Sequence, residues 1–449
     1  LKKIKQHKVQ IISLGCPKNL IDSEVMGGLL NKSGLHIVDR NDSADIVIVN
    51  TCAFINPAKE ESLEELLTLA EEKKKGKRQF KLVVAGCLAQ RYGKELSAQI
   101  PEVDLFIGTG EVGNIVRHIN KLDEIKFRRA TAITKPDFLM TSQHPRILSS
   151  MMTSAYLKIS DGCSNSCSYC VIPWIRGKAR SRTPNDILRE AENLAVRGIK
   201  EIIITGQDTT VYGRDLKGQP SLSGLLNDVA QIKGIKWVRL LYTHPAHITK
   251  DVLETIVANE KICRYIDLPI QHIDDTILSA MNRKLSGAKI KEVIAQARQI
   301  IPGVALRTSL IVGFPGETQR RFEKLLDFVR ETKFDHLGVF IYSREEGTSA
   351  AQLKSQILEK EKERRREIIM SEQAAISNAI NKSLIGSTQE VLIEEKNDRP
   401  DYDFMGRCRR QTPEIDGITY IKNKQAKIGS IVKCKIIAAD DYDLFGEII

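Results

Sequence analysis

Ala155-Tyr156-Leu157-Lys158-Ile159 runs almost directly into Asp161-Gly162-Cys163-Ser164-Asn165-Ser166-Cys167-Ser168-Tyr169-Cys170. A short strand-like run gives way to a polar loop with three thiols in eight residues. The C-x3-C-x2-C spacing lets one loop aim three thiolates at one face of a cubane, leaving the fourth iron of a [4Fe–4S] cluster open to another molecule. Zinc is the competing reading, but it takes four protein ligands, or three plus water at a catalytic site. The nearest histidines are His144 and His244. No local imidazole completes a tetrahedral site, and the iron–sulfur reading is preferred.

Downstream, strands are expected at 201–205, 238–242, 265–270, 306–312 and 337–342, with helical patterns between them. Together with 155–159 they make six βα units, which suits an open, partial (β/α)6 barrel better than a closed eightfold one. Upstream, strands at 9–14, 45–50 (DIVIVN), 80–85 (FKLVVA) and 103–107 alternate with helices, the first at 20–31. Near-continuous apolar strands of this kind imply a doubly wound parallel sheet covered on both faces. The fold class is therefore α/β. Residues 121–150 are less regular, contain Pro136 and Pro145, and read as a linker. A helix at 356–383 carries the run Glu359-Lys-Glu-Lys-Glu-Arg-Arg-Arg366, expected on a solvated face. After Gly386, short strands at 391–394, 418–421, 431–437 and 444–449 suit a small β-barrel. The expected segments are 1–122, the linker 123–150, the partial barrel 151–355, a connecting helix 356–385 and the terminal barrel 386–449.

With 449 residues, 42% hydrophobic and 28% charged, the chain can bury sizeable cores, and general disorder is excluded. No stretch approaches the roughly 18 apolar residues that span a bilayer. The basic start Lys2-Lys3-Ile4-Lys5 does not lead into an apolar signal core. A soluble, cytoplasmic protein without a membrane partner is expected. Nine cysteines are too few and too odd in number for a disulfide scaffold, so thiols here read as metal ligands, nucleophiles or buried small residues. Residues 1–150 carry 23 Lys and Arg against 18 Asp and Glu, residues 151–385 carry 35 against 27, and residues 386–449 carry 10 against 12. A basic body with an acidic tail does not read as a protein gripping nucleic acid by that tail.

Cys16, Cys52 and Cys87 form a second constellation. Each follows a predicted strand, and the separations of 36 and 35 residues match one βα unit. Equivalent positions after neighbouring parallel strands converge at the carboxyl edge, where α/β folds bind ligands. Either the three share a metal site or they are ordinary buried cysteines.

The cysteine loop on a partial barrel resembles the radical S-adenosylmethionine superfamily. That resemblance implies a [4Fe–4S] cluster on Cys163, Cys167 and Cys170 and S-adenosylmethionine as cofactor. It further implies cofactor contacts from Tyr169, from Gly206, Gln207 and Asp208 near the methionyl amino group, from Arg307 to the carboxylate, and from Gly313 in the adenine cradle Leu310–Glu317. Ser13-Leu-Gly-Cys16-Pro-Lys-Asn-Leu-Ile-Asp-Ser-Glu24, Asn50-Thr-Cys52, Ala85-Gly-Cys87, Ile172-Pro173, Arg176-Gly177 and Arg180-Ser-Arg182 resemble the methylthiotransferases. The terminal barrel is similar to their TRAM domain. In that family Cys16, Cys52 and Cys87 would hold a second [4Fe–4S] cluster. Pro17-Lys18 and the ending Asp441-Tyr-Asp-Leu-Phe-Gly-Glu447 are similar to the branch that methylthiolates the β-carbon of an aspartate in the small-subunit ribosomal protein numbered twelve. The implied partners are that basic protein and an electron donor, with nucleic acid met only through the ribosome.

The alternatives are a tRNA-adenosine methylthiotransferase, a metal-stabilised binding module without catalysis, and a radical enzyme with one cluster. Gly108-Thr-Gly110-Glu-Val-Gly113 fits a dinucleotide fingerprint, but no clear strand with an acidic end follows, and a helix-start turn is expected. His272 reads as structural, and Cys263, Cys408 and Cys434 as inert core residues.

Overall fold

The computed structural model describes residues 7–39, 43–76, 78–122, 130–148, 153–422 and 426–449. The basic start lies outside them. The chain divides into two compact units: residues 1–150, 158–165 and 170–187, and residues 151–157, 166–169 and 188–449.

In the first unit, strands β1 (Lys8–Ser13), β2 (His36–Val38), β3 (Ile46–Thr51), β4 (Lys81–Gly86), β5 (Leu105–Ile107) and β6 (Ala130–Ala132) form a parallel sheet in the order β2-β1-β3-β4-β5-β6. All six residues of β3 are buried, as expected of a central strand covered on both faces. Helices α1 (Pro17–Lys32), α2 (Asn56–Lys74), α3 (Cys87–Gln99) and α4 (Ile115–Leu122) follow β1, β3, β4 and β5. Pro17 starts α1, where its missing N–H costs nothing.

The supposed linker is corrected in its described part. Residues 130–132 pair with β5 as a sixth strand, and the Arg146 guanidinium is 2.5 Å from buried Glu24 on α1. A three-residue strand is too short for periodicity to reveal. The same brevity hid β2.

The short pair β8 (Ser160–Asp161) and β9 (Arg180–Ser181) belongs to the first unit. The second unit holds β7 (Ser154–Lys158), all but its last residue, and then β10 (Glu201–Thr205), β11 (Trp237–Leu240), β12 (Tyr265–Asp267), β13 (Ala305–Val312) and β14 (His336–Ile341). These form two three-stranded sheets, β11-β10-β7 and β12-β13-β14. A parallel bridge between Val238 and Ile262 connects them. Six strands in chain order, without closure, make the expected partial barrel. The remaining strands, β15 (Thr388–Lys396), β16 (Phe404–Cys408), β17 (Thr419–Lys422), β18 (Ile431–Ala439) and β19 (Leu444–Ile448), close into a barrel in the order β15-β16-β17-β19-β18. The helix Glu359–Ser383 precedes it. Its charge run is only partly solvated: Lys362 and Arg365 are buried, with Lys362 donating to the Tyr342 carbonyl at 3.0 Å and Arg365 to that of Glu317 at 2.6 Å. Among the described residues, no helix is long and apolar enough to cross a membrane.

The terminal barrel plugs the amino-terminal end of the partial barrel with charge. Glu201, the first residue of β10, receives Arg239 at 2.8 Å and Arg407 at 2.5 Å. Arg407 also contacts Glu394 at 2.6 and 2.9 Å. All of Glu201, Arg239 and Arg407 are buried. Burial opposes ionisation of Glu201, but Arg407 and Arg239 outweigh it and hold its carboxyl down to about 2. Because this value lies below the unfolded value of about 4.3, the pair stabilises the fold at neutral pH. That contribution is lost as pH falls from about 4 towards 2.

Removing one partner of a buried pair leaves an uncompensated charge, so Arg407→Ala should cost about 3–5 kcal/mol, read as an earlier unfolding midpoint in urea at pH 7. Glu201→Gln should also flatten the loss of stability in that acid window; an unaltered acid profile would count against the assignment.

Candidate metal centre

The parallel register of the first sheet sets Ser13 beside Asn50, and Asn50-Thr51 beside Ala85-Gly86. The segments after β1, β3 and β4 therefore leave the sheet at one edge, carrying Cys16, Cys52 and Cys87. Cys16 is the N-cap of α1, its carbonyl accepting the N–H groups of Asn19 and Leu20 at 2.8 and 3.1 Å. Cys87 is the first residue of α3. Ser62 on α2 accepts the Cys52 N–H at 3.0 Å and donates to its carbonyl at 3.1 Å.

Gly15 measures how closely these segments approach. At its φ of +90°, a Cβ would lie 2.6 Å from the Cys52 Cβ and 3.0 Å from its Sγ, so only glycine fits. Asn19 bolts the same edge together. Its amide donates to the carbonyls of Leu14, Asn50 and Thr51 at 2.7, 3.1 and 3.3 Å, and Asn50 returns a bond to the Asn19 carbonyl at 2.8 Å.

The three thiols sense one another. Burial, reinforced by the charges of Cys87 and Cys16, pushes the Cys52 thiol up to about 12. Burial also raises Cys87 against the pull of Arg176. For Cys16, burial is outweighed by Lys18, Arg176 and two backbone N–H groups, which hold it below the ordinary thiol range. An all-sulfur donor set backed by Lys18 and Arg176 is of the kind that iron–sulfur clusters use.

Arg176 ends the short helix α5 (Ile172–Arg176). Its side chain donates to Asp22 at 2.6 Å, to Asp161 and Asn19 at 3.3 Å, and to the Cys87 sulfur at 3.7 Å. Lys158 completes the set, 2.6 Å from Asp22 and 2.9 Å from Asp161. Asp161 accepts the Gly162 N–H at 2.8 Å with its other oxygen, and the Cys163 N–H donates to the Gly177 carbonyl at 3.0 Å. These bonds shape the start of the cysteine loop. Arg176, Asp22, Lys158 and Asp161 all stand in the motif runs of the sequence, where nothing assigns them a role at the thiols. The one available signal was charge at otherwise apolar positions.

Cys163, Cys167 and Cys170 are all half-buried. In the second unit the turn after Ala280 shapes the middle of the loop: the Ser168 N–H donates to the Met281 carbonyl at 3.0 Å, Asn282 to the Ser166 carbonyl at 2.7 Å, and Arg283 to the Cys167 sulfur at 3.9 Å. Tyr169 packs on an apolar cluster of Ile277, Met281, Ile311, Phe314, Tyr342 and Ala350.

Gly206, Gln207 and Asp208 follow β10 at its carboxyl end. Asp208 is buried and occupied, accepting from Thr210 and lying 2.8 Å from His247 Nδ1. His247 stacks on His244 with ring centres 4.6 Å apart. Asp208, His244 and His247 bring their donor atoms within 4.8 Å, yet His244 Nδ1 accepts the Ala246 N–H at 3.1 Å. That bond places the ring proton on Nε2, which fits a hydrogen-bond network better than a metal site.

The structure places the other two expected cofactor contacts, Arg307 and Gly313, as follows. Arg307 is the third residue of β13, towards the amino-terminal end, and pairs with Asp267 at 2.8 Å and Asp416 at 3.6 Å. It belongs with the charged plug. Gly313 has φ +73°, and a Cβ there would strike the Lys362 side chain, so the position requires glycine. Gly313 itself donates to buried Glu317.

The discounted glycine run packs on the chain near Thr134 to Phe138, with Gly110 against the Lys135 carbonyl and Gly113 against the Phe138 ring. His272 is fully buried, 3.5 Å from Glu317. Cys263, Cys408 and Cys434 are buried, the last two in the terminal barrel core.

Residues 8–108 match the uncharacterized protein family UPF0004, residues 157–329 the radical SAM superfamily and residues 385–449 the TRAM domain. The chain is 55% identical to the ribosomal protein uS12 methylthiotransferase RimO of Syntrophus aciditrophicus (strain SB), with 99% of both chains covered. It is 47% identical to the protein of the same name from Geotalea uraniireducens (strain Rf4), again over 99% of both. Among solved structures it is similar to the radical S-adenosylmethionine methyltransferase TsrM from Kitasatospora setae, with cobalamin and a [4Fe–4S] cluster bound. The TM-score there is 0.56 at 14% identity, covering 86% of this chain and 77% of that one, a likeness of fold.

In metal-free protein at pH 7.5, Cys16 should alkylate with iodoacetamide at least about tenfold faster than Cys52 or Cys87, because only its thiol is held below the ordinary range. Peptide mapping by mass spectrometry reads the order, and equal rates across the trio would contradict these electrostatics.

Proposed function

The chain belongs to the ribosomal protein uS12 methylthiotransferase (RimO) family, whose chemistry is that of radical S-adenosylmethionine enzymes, and we propose that it places a methylthio group on the β-carbon of an aspartate of uS12 using two [4Fe–4S] clusters. The observation that carries the two-cluster reading is the convergence of Cys16, Cys52 and Cys87 on one sheet edge, with Gly15 pressed against Cys52.

When bound, the clusters and S-adenosylmethionine would supply a reductively generated 5′-deoxyadenosyl radical and a sulfur carrying the methyl group. Cys163, Cys167 and Cys170 would hold the first cluster, and Cys16, Cys52 and Cys87 the second. Burial of Cys52 and Cys87 keeps their protons on until a cluster replaces them, so loading releases protons and is favoured as pH rises. Tyr169, seated on its apolar floor, offers a ring face for the adenine. Gly206 and Gln207 lie at the carboxyl end of the barrel, where several loops converge on substrate. Asp208 acts one step back, orienting His247. The apolar surroundings of Tyr169 keep water from a species that would attack nearly any C–H bond.

The terminal barrel suits a basic protein. Asp398, Asp401, Asp440, Asp441 and Glu447 are exposed beside exposed Lys396, Arg399, Lys422, Lys427, Lys433 and Lys435, and the slight excess of carboxylates over residues 386–449, 12 against 10, favours a basic protein over a phosphate backbone. The reaction would also need an electron donor and would take place where ribosomes are assembled, in the cytoplasm.

Mass spectrometry of uS12 after anaerobic reaction with reconstituted enzyme should show one methylthio group in place of a hydrogen. Modified tRNA with untouched uS12 would overturn this choice of substrate. Cys52→Ala should lower iron from about eight to about four per chain, whereas unchanged iron would support a single cluster.

A further inference from the structure

We propose that Arg176 is a positioning residue of the N-terminal thiol trio: by hydrogen-bonding Cys87 it raises the reduction potential of a cluster held by Cys16, Cys52 and Cys87. The inference rests on the two-cluster reading and goes beyond it by naming the residue that sets the electronic state of the second site.

The guanidinium is a rigid plane with donors on both arms. One arm, Nη2, donates to the Cys87 sulfur at 3.7 Å and to Asn19 at 3.3 Å, while Nη1 holds Asp22 at 2.6 Å and Asp161 at 3.3 Å. The residue is 3% exposed, so water does not screen the contact. Its backbone is equally fixed. Pro173 opens α5, and Ile175 lies in the apolar core of the first unit. Its carbonyl takes the Thr109 hydroxyl at 2.6 Å, and the Arg176 carbonyl takes Arg180 at 3.0 Å. Were the side chain to turn away, Asp22 and Asp161 would lose one of the two cations they face and keep Lys158. The guanidinium is therefore held against Cys87 by two carboxylates that need it for their own neutralisation.

Hydrogen bonds to ligating sulfurs and nearby net charge are what set cluster potentials. A buried cation against a thiolate favours the more negative, reduced state. Arg176 also touches Asp161, two residues before Cys163, so one side chain spans the second trio and the entrance to the cysteine loop within the first unit.

The test uses the full chain with Cys163→Ala, Cys167→Ala and Cys170→Ala, loaded anaerobically so that iron signals come from the N-terminal trio. Poised at this parent's midpoint and read by electron paramagnetic resonance, the Arg176→Gln chain should show a reduced-to-oxidised ratio about tenfold lower, equivalent to about 59 mV for one electron. A ratio within about twofold of the parent, with iron content unchanged, overturns the proposal. Should Arg176→Gln fail to assemble, Asp22→Asn with Arg176→Gln restores neutrality in the buried set. There the loss of the sulfur contact should still lower the ratio about threefold, and an unchanged ratio overturns the proposal. Loss of all iron from the parent chain would overturn the two-cluster reading and this inference together, and is told apart by the iron content alone.

Discussion

Four buried charges decide the geometry of the first unit. Asp22, Lys158, Asp161 and Arg176 are almost wholly withdrawn from water, with side-chain exposures of 0–5%. Each isolated ion would cost several kcal/mol to bury. Two carboxylates facing two cations offset that cost only while all four keep their places. Asp22 rides on the helix that Cys16 begins, Asp161 opens the loop that Cys163 enters, and Arg176 reaches Cys87. The charge set thus ties the helix after Cys16, the cysteine loop and Cys87 together.

The second unit repeats the device at the amino-terminal ends of its barrel strands. Ser154, Glu201 and Arg239 meet Glu394 and Arg407 of the terminal barrel, and Asp267 and Arg307 meet Asp416. The two ends of the same strands thus divide the labour. Charge pairs at the start of the strands hold the small barrel in place. At their carboxyl ends lie Gly206, Gln207, Asp208 and the paired histidines. That division fits the general behaviour of βα barrels, whose amino-terminal face serves stability and whose carboxyl face serves catalysis.

Much of this was legible in the chain. The six barrel strands and four of the N-terminal strands lie where apolar runs predict them, because a strand buried on both faces must be almost wholly apolar. The strands His36–Val38, Ala130–Ala132 and Phe404–Cys408 were missed. The first two are three residues long, and the third is interrupted by Gly406-Arg407, whose charge is buried by partners elsewhere. The partners of Arg307, Asp267 and Asp416, were hidden in the same way. A strand position says that a side chain is inside, but not which end of the barrel it faces or which carboxylate is waiting there.

Spacing along the chain crowded Cys163, Cys167 and Cys170 into one loop and set Cys16, Cys52 and Cys87 one βα unit apart, leaving a shared site and ordinary burial both open for the second set. Lys18 stands beside Cys16 in the chain, but the buried set behind Cys87 was assembled only by folding. Arg176 and Lys158 are neutralised by Asp22, more than a hundred residues away, and a charge pair at that separation leaves no periodicity in the sequence. Local pattern records what each segment must bury. Long-range electrostatics, settled only when the segments meet, determines which buried charges face each other.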